Sequence, residues 1–326
     1  MVALAGSQMT DLQRPLRIVA FRSLSTLPLL AAQQQSFFAK RGLAVDIEYA
    51  SQSLALRRGL AAGSYDIAQT AADNAVAMVE NDCTDVVIVT GGDNGFNSLI
   101  VQPDLNDLTD FRGRSLVVDA PDTGFALVAY QILQNAGLTP GDYTVTPVGS
   151  SEMRFRELLQ DPATGGAILG LPFSLQAVES GLRSAGAAVD LIGPYISSVT
   201  FVRRDWLAEN SGLLTSYIAA HIEGLRWTLD PVNKAAVVAI IESSLSVSSV
   251  QAAESYRQAI NGFATDAAFD HDGFKKVLDL RARFGSLAGK RPGAIDKYVD
   301  LTCWKSAQAQ INFPRQRNSP EVVRQR

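Results

Sequence analysis

The sequence has few of the side chains on which metal sites and nucleophilic catalysis depend. Its 326 residues include two cysteines and two histidines. Cys83 and Cys303 are far apart and have no metal-ligand spacing, so there is no zinc signature. A disulfide between them is compatible with an oxidising compartment, and the sequence leaves that pairing open.

Motifs of catalysis and of nucleotide binding are also missing. The segment 149–151 (GSS) lacks the second glycine of a Gly-x-Ser-x-Gly nucleophile elbow, and no histidine lies near it in the sequence. The loop 91–95 (GGDNG) matches neither the dinucleotide nor the P-loop fingerprint. His221 and His271 fall in helical patterns, where we expect packing or surface roles. We therefore predict no catalytic residue, no cofactor and no metal.

Charge and hydropathy exclude further classes. The net charge of −4 does not favour nucleic-acid binding, which needs a basic face. No segment approaches the roughly 18 consecutive apolar residues of a membrane helix. A hydrophobic content of 47% is that of an ordinary soluble protein.

The first third of the chain alternates apolar runs with helical patterns. The runs 16–21, 45–49 and 65–69 are separated by two amphipathic segments, the first of which ends at Gly42. Two consecutive β-α-β units predict a parallel sheet with right-handed crossovers. We therefore predict the α/β class, with two lobes, each a mostly parallel sheet flanked by helices, and a helical C-terminal part.

A chain of this length favours two domains. The patterns assign residues 15–103 and 196–313 to a discontinuous first lobe and residues 104–195 to the second. The run 189–192 is expected to be the last strand of the second lobe, and residues 1–14 and 314–326 are expected to be loose. Two crossings between lobes make a hinge, and a ligand would bind in the cleft between them.

Ligands of such sheets bind at the carboxyl ends of the strands, and in the first lobe these ends carry small polar residues. Arg22 suits a carboxylate or sulfonate, or is simply a surface arginine. The hydroxyls that follow it cap a helix, contact an anion, or do both. The candidates in the first lobe are Arg22, Ser23, Ser25, Thr26, Ser51, Gln52, Thr70 and Ala71.

The second lobe has corresponding loops between its predicted strands and helices. One offers a hydroxyl and a backbone N–H, although its two aspartates would repel an anion, so at least one of them is expected to cap a helix. Phe173 either walls the pocket or packs in the core. The candidates in this lobe are Asp119, Thr123, Gly124, Ser150, Leu171 and Phe173.

Three segments carry a resemblance to a known family. They are 37–43 (FFAKRGL), 60–68 (LAAGSYDIA) and 108–118 (LTDFRGRSLVV). Over roughly residues 15–240 the chain resembles the substrate-binding proteins of ABC importers for nitrate, taurine, aliphatic sulfonates and thiamine-pyrimidine precursors. The phrases FFAKRGL and GSYDIA are specific in combination and weak when taken singly.

The resemblance implies a type II periplasmic-binding-protein fold that closes on a ligand and delivers it to a membrane permease. It implies a small anionic or polar organic ligand, such as a sulfonate, nitrate or a carboxylate, a monomeric protein and a location outside the cytoplasm. The segment 2–6 (VALAG) resembles the end of a signal cleavage site, although no complete signal is present. A natural N-terminus at Met1 would instead place the protein in the cytoplasm.

Two other classes stay open. Enzymes that resemble thiamine-pyrimidine synthases or an aromatic sulfinate desulfinase share this fold. Against them, the sequence has no cysteine-rich iron motif, and Cys83 precedes a strand instead of following one. A cytoplasmic ligand sensor is the third possibility.

Overall fold

The computed structural model describes residues 14–285, 287–290 and 292–312, so most of the expected loose termini lies outside the described residues. The strands are β1 (Leu16–Ala20), β2 (Val45–Tyr49), β3 (Ile67–Ala71), β4 (Val86–Thr90), β5 (Asn97–Val101), β6 (Ser115–Val118), β7 (Thr144–Pro147), β8 (Thr164–Gly170), β9 (Arg183–Ala187) and β10 (Ser198–Arg203). The α-helices are α1 (Leu27–Gln34), α2 (Phe37–Lys40), α3 (Ser53–Ala61), α4 (Ala72–Glu80), α5 (Gly124–Asn135), α6 (Ser151–Gln160), α7 (Phe173–Glu179), α8 (Ala188–Ile192), α9 (Arg204–Leu229), α10 (Lys234–Leu245), α11 (Ser249–Ala259), α12 (His271–Phe284) and α13 (Thr302–Asn312).

Within the described part of the chain, the strands form two five-stranded sheets flanked by helices. The first sheet has the order β2-β1-β3-β10-β4, with β1 parallel to β2 and β3 and with β10 antiparallel to its neighbours. The second has the order β7-β6-β8-β5-β9, with β6 parallel to β7 and β8. The α/β class and the two consecutive β-α-β units at the start of the chain are confirmed.

One strand lies in a different sheet from the one expected. Residues 97–101 were assigned to the first lobe, but β5 pairs antiparallel with β8 and β9 of the second sheet. The chain therefore first passes from the first lobe to the second in the segment 91–96, not near residue 103. The local sequence of an apolar strand does not determine which sheet the strand joins, because its pairing partners are set by the tertiary fold.

The run 189–192 is also corrected, because it belongs to the helix α8 and the strand before it is β9. A short apolar run fits a buried strand and a buried helix equally well. The helix expected to end at Gly42 is in fact two helices, α1 and α2. The chain breaks between them at Ser36, whose φ of 59° is left-handed.

Alternate residues of the first sheet face two different layers of helices. Val19 and Ala68 belong to a core cluster with α3, α4 and α12, whereas Ile18 and Ile67 belong to a cluster with α1 and α9. This alternation follows from the two-residue repeat of a strand. Helices thus cover both faces, and the strand ends are left as the place where polar residues can gather.

Two further expectations concern the cysteines and the membrane. Both cysteines are free, with Cys83 exposed and Cys303 buried, so the disulfide that the sequence left open is not formed. Among the described residues, no single helix combines the length and apolar character of a membrane span. The bent pair Pro231–Leu245 and Ser249–Gly262 meets those criteria only jointly, with an angle of 112° between the two.

Candidate ligand-binding site

The carboxyl ends of β1 and β2 meet through Arg22 and Tyr49. The two strands are parallel, with Ala20 opposite Tyr49, so the residues that follow them emerge side by side. The Arg22 guanidinium lies 4.8 Å from the centre of the Tyr49 ring, and its Nη1 donates to the Ser244 carbonyl at 2.7 Å. These contacts fix an exposed arginine at the edge of the sheet.

The charge of Arg22 has no acidic partner in the described part of the chain. No carboxylate lies within ion-pair distance of its guanidinium, and a carbonyl oxygen or an aromatic ring does not neutralise a full charge. Burial raises the pKa of the Tyr49 hydroxyl, and the nearby Arg22 charge opposes that rise. Since a guanidinium has five N–H donors, Arg22 keeps donors for an anion.

The hydroxyl groups after β1 do not form the expected helix cap. Ser23 and Thr26 precede helical turns, but neither side chain makes a capping bond, and Thr26 donates instead to the Ser23 carbonyl at 2.6 Å. Ser25 is partly exposed and lines a small cavity together with the buried Asp93. The N–H groups of this turn are thus not occupied by a side-chain cap.

The loops after β2 and β3 differ in accessibility. Ser51 and Gln52 are exposed at the start of α3, and Gln52 makes no side-chain cap bond. Thr70 lies inside β3 and is buried, so its side chain is less accessible than the sequence led us to expect. Ala71 is partly exposed at the start of α4.

In the second sheet, two predicted residues are hydrogen-bonded to each other. Thr123 donates to the Asp119 carboxylate and to the Ala120 carbonyl. Burial raises the pKa of Asp119, and the charge of Arg154, whose Nη1 is 4.0 Å from the Asp119 Oδ1, opposes that rise. The N-cap residue of α5 is Thr123, and its side chain makes no capping bond.

Arg154 organises these loops, and the sequence analysis missed it. It is 1% exposed, and its guanidinium donates to the Gly149 carbonyl, to the Ser151 Oγ at 2.9 Å and to the Ile168 carbonyl at 3.1 Å. It thereby ties together the ends of β6, β7 and β8. The spacing to Leu158 could have indicated that Arg154 is buried, because residues four apart lie on the same helix face and Leu158 is buried.

The remaining candidates of the second sheet divide into a cap and core residues. Ser150 caps α6 by accepting from the Met153 N–H at 3.3 Å, which confirms that expectation. Leu171 is buried in the cluster around α1 and α9. Phe173 packs beside Phe155 at 6.4 Å between ring centres, within a cluster of the second sheet.

Gly124 marks the place where the loops of the two sheets touch. A Cβ atom on Gly124 would lie 3.0 Å from the Cβ of Asp73 and 3.1 Å from the Tyr195 hydroxyl. Asp73 lies in the first turn of α4, where an acidic side chain interacts favourably with the helix dipole. The structure adds a buried ion pair between Asp73 and Arg281.

A buried polar cluster lies behind the strand ends of the first sheet. Ser25, Gln69, Asp93 and His221 line a cavity of about 10 Å³, which is close to the least room that one water molecule needs. The Gln69 Nε2 is 3.3 Å from the His221 Nε2, while the Gln69 Oε1 and the His221 Nδ1 have no partner among the described residues. Burial lowers the pKa of His221 to about 4 and raises that of Asp93 to about 6.

Solved structures of importer binding proteins share this fold. The ligand-binding component of an ABC-type import system from Staphylococcus aureus superposes with a TM-score of 0.77 at 14% identity, covering 90% of this chain and 99% of that one. The nitrate-binding protein NrtA from Synechocystis gives 0.73 at 17%, covering 91% and 88%. The sulphonate-binding protein SsuA from Escherichia coli gives 0.72 at 15%, covering 88% and 92%.

A family assignment follows from the sequence itself. Residues 24–234, more than half of the chain, match the family described as NMT1/THI5 like, and the chain belongs to that family. The desulfurization enzyme DszB has the same fold, with a TM-score of 0.64 at 13% identity, covering 90% of this chain and 99% of that one. A search of curated protein sequences finds no match to the chain.

Proposed function

We propose that this protein is the solute-binding component of an ABC importer. It captures a small anionic or polar organic molecule, of the sulfonate, nitrate or carboxylate kind, between the two sheets and delivers it to a membrane permease. Its place of action is outside the cytoplasm, and it acts as a monomer without a cofactor. The fold and the family membership support this role, because both are shared with importer binding proteins.

We infer an anionic ligand from the surroundings of Arg22. The buried arginines near the strand ends, Arg154 and Arg281, have carboxylates beside them, whereas Arg22 is exposed and has none. A guanidinium stacked on an aromatic ring and held by one carbonyl is pre-oriented for a flat or tetrahedral oxyanion. Ser23, Ser51 and Gln52 surround the same edge with hydroxyl and amide donors.

The first sheet supplies one half of the site in this proposal and the second sheet the other. The proposed contacts are those that the sequence predicted. Exposed or partly exposed are Arg22, Ser23, Ser25, Ser51, Gln52 and Ala71 from the first sheet and Asp119, Thr123, Ser150 and Phe173 from the second. Thr26, Thr70, Gly124 and Leu171 are buried and reach a ligand only when the halves separate. A ligand that contacts both halves binds the closed state more tightly than the open one and therefore stabilises it. The permease recognises the closed state.

A thermal-shift screen tests the proposal. The purified protein is screened against nitrate, taurine, alkanesulfonates, carboxylates, aromatic acids and pyrimidines. A ligand of the native state raises the melting temperature by mass action, by an amount that grows with concentration. We expect a sulfonate, nitrate or a carboxylate to raise it and to be recovered unchanged after long incubation.

An enzyme is the alternative, since the DszB fold shows that this architecture accommodates chemistry. A compound that raises the melting temperature and is then consumed would support the enzyme and contradict the binding protein. The two cysteines are poorly placed for that role. Cys83 lies before β4, at the amino end of a strand, and Cys303 is buried on α13.

A further inference from the structure

Arg281 connects the loops of the two sheets through a single guanidinium group. It lies on α12 and is 1% exposed. Its Nε and Nη2 donate to the two carboxylate oxygens of Asp73, the latter at 2.6 Å. Its Nη2 also donates to the Asp122 carbonyl at 3.0 Å, and its Nη1 is 2.9 Å from the Asp122 carboxylate.

The two carboxylates belong to different halves of the molecule. Asp73 stands in the first turn of α4, directly after β3 of the first sheet. Asp122 lies between β6 and α5 of the second sheet, two residues before Gly124. The helix that carries Arg281 packs against both α4 and α5, so it belongs to neither half alone.

The contact has an Asp73 arm and an Asp122 arm, each consisting of that residue and the Arg281 guanidinium, and the two differ in burial. The Asp73 side chain is 3% exposed and its bidentate pair is shielded from water, whereas the Asp122 side chain is 46% exposed. Breaking the buried arm would leave an unpaired charge in the interior, which is strongly unfavourable. Breaking the exposed arm separates a carboxylate that is already in contact with water, which costs much less, so this arm is the one that can open and close.

We propose that Arg281 is a positioning residue for closure of the cleft. The Asp73 arm anchors the guanidinium to the first sheet, and the Asp122 arm holds the loop 119–124 of the second sheet against it. The pair favours the closed arrangement before any ligand is present. If the proposed function holds, the apparent dissociation constant falls in inverse proportion to the closed fraction, without contact between Arg281 and the ligand.

The test measures the separation of the two halves in the ligand-free protein, so it does not depend on knowing the ligand. One spin label is attached to the exposed native Cys83 and one to a Gln160→Cys substitution on the exposed end of α6, with the buried Cys303 replaced by serine. Pulsed electron paramagnetic resonance then gives the distribution of distances between the labels. A screen that finds no ligand would count against the proposed function and leave this measurement unaffected.

The variants separate closure from general stability. Asp122→Ala removes the carboxylate of the exposed arm and keeps the backbone carbonyl, and we expect the ratio of short to long distances to fall roughly two- to fivefold, the range that an exposed ion pair supplies. Asp122→Glu keeps the carboxylate and should restore most of the short distances. The matched control is Asp104→Ala, since Asp104 is a 59% exposed carboxylate paired with Arg114 inside the second sheet.

The outcomes that overturn the proposal are equally definite. An unchanged distance distribution in Asp122→Ala would show that the pair does not set closure. The same shift in Asp104→Ala would show a nonspecific effect of losing a surface ion pair. A loss of short distances in Asp122→Ala that Asp122→Glu does not reverse would show that the carboxylate is not the cause.

Discussion

The Arg22 guanidinium stacks on the Tyr49 ring at 4.8 Å, joining the ends of the two outermost parallel strands of the first sheet. Stacking restricts the rotamers of Arg22 and holds its charge at the sheet edge. A long exposed side chain otherwise loses rotamer freedom when it binds a ligand. The stacked arrangement lowers that entropy loss, so Arg22 is suited to recognition and not only to solubility.

Arg22→Gln should weaken binding of whichever anion the thermal-shift screen identifies. A hydrogen bond to a charged group contributes about 1.5–3 kcal/mol, so the dissociation constant should rise about 10- to 150-fold. Isothermal titration calorimetry on the variant and the wild type measures this ratio. Arg58→Gln is the control, because Arg58 is an exposed arginine on the nearby α3. Equal losses in both variants would mean that only the overall charge matters.

Arg154→Leu should destabilise the fold far more than a matched change on the same helix. It leaves the Gly149 and Ile168 carbonyls without their donor and removes the charge nearest to Asp119. Loss of a buried charged partner costs about 3 kcal/mol. Urea denaturation gives the unfolding free energy. Arg156→Leu removes a 68% exposed arginine paired with Glu152 and should cost under about 1 kcal/mol. A similar cost for both would contradict the organising role of Arg154.

The local patterns predicted much of the first sheet but not the contacts that close the site. The strands β1 and β2 were recognisable because apolar runs are followed by helical spacing and a glycine. The pair Asp73 and Arg281 was not, because 208 residues separate the two side chains and neither sits in a motif. The sequence showed Asp73 only as an acidic residue near a helix start, and that feature has a sufficient local explanation.

The errors in the second sheet have a related cause. The run 189–192 consists of three apolar residues and Asp190, and four residues are too few to show a helical or a strand period. The placement of β5 depends on its hydrogen-bond partners β8 and β9, which lie over 60 residues further along the chain. Arg154 was overlooked because charged residues on a helix are usually exposed, although its spacing from Leu158 indicated a buried face.

The buried His221 should contribute stability that is lost in acid. Its pKa falls from an ordinary value near 6.5 to about 4 on folding, because burial disfavours the charged ring. A lowered pKa gives stability that is complete above about pH 6.5 and is lost as the pH falls through 4. Between pH 7 and pH 4.5 this term should cost about 2 kcal/mol of unfolding free energy. Urea denaturation at the two pH values detects it as a difference between proteins: His221→Gln should have a pH dependence different from that of the wild type, whereas the exposed His271→Gln should keep the wild-type dependence.

Asp93 has the opposite dependence in the same pH range. Burial raises its pKa to about 6, so its contribution is complete below about pH 4 and is lost as the pH rises through 6. In the wild type the two terms offset each other, and stability should change little between pH 4.5 and pH 7. In His221→Gln only the Asp93 term remains, so this variant should be about 2 kcal/mol less stable at pH 7 than at pH 4.5. A flat profile in the variant would contradict the burial of an ionisable Asp93.

A side chain at Gly124 should force the two halves apart. The missing Cβ leaves room for the Asp73 Cβ at 3.0 Å and the Tyr195 hydroxyl at 3.1 Å, and valine would add two methyl groups in that space. Since both neighbours are buried, neither has free room to move, and overpacking of this kind usually costs 1–3 kcal/mol. We expect Gly124→Val to enlarge the radius of gyration of the ligand-free protein in small-angle X-ray scattering. Gly212→Val is the control, because a Cβ atom on Gly212 meets nothing within 4 Å. An unchanged radius in Gly124→Val together with a normal melting temperature would show that the loops separate without strain, and that this contact does not hold the cleft closed.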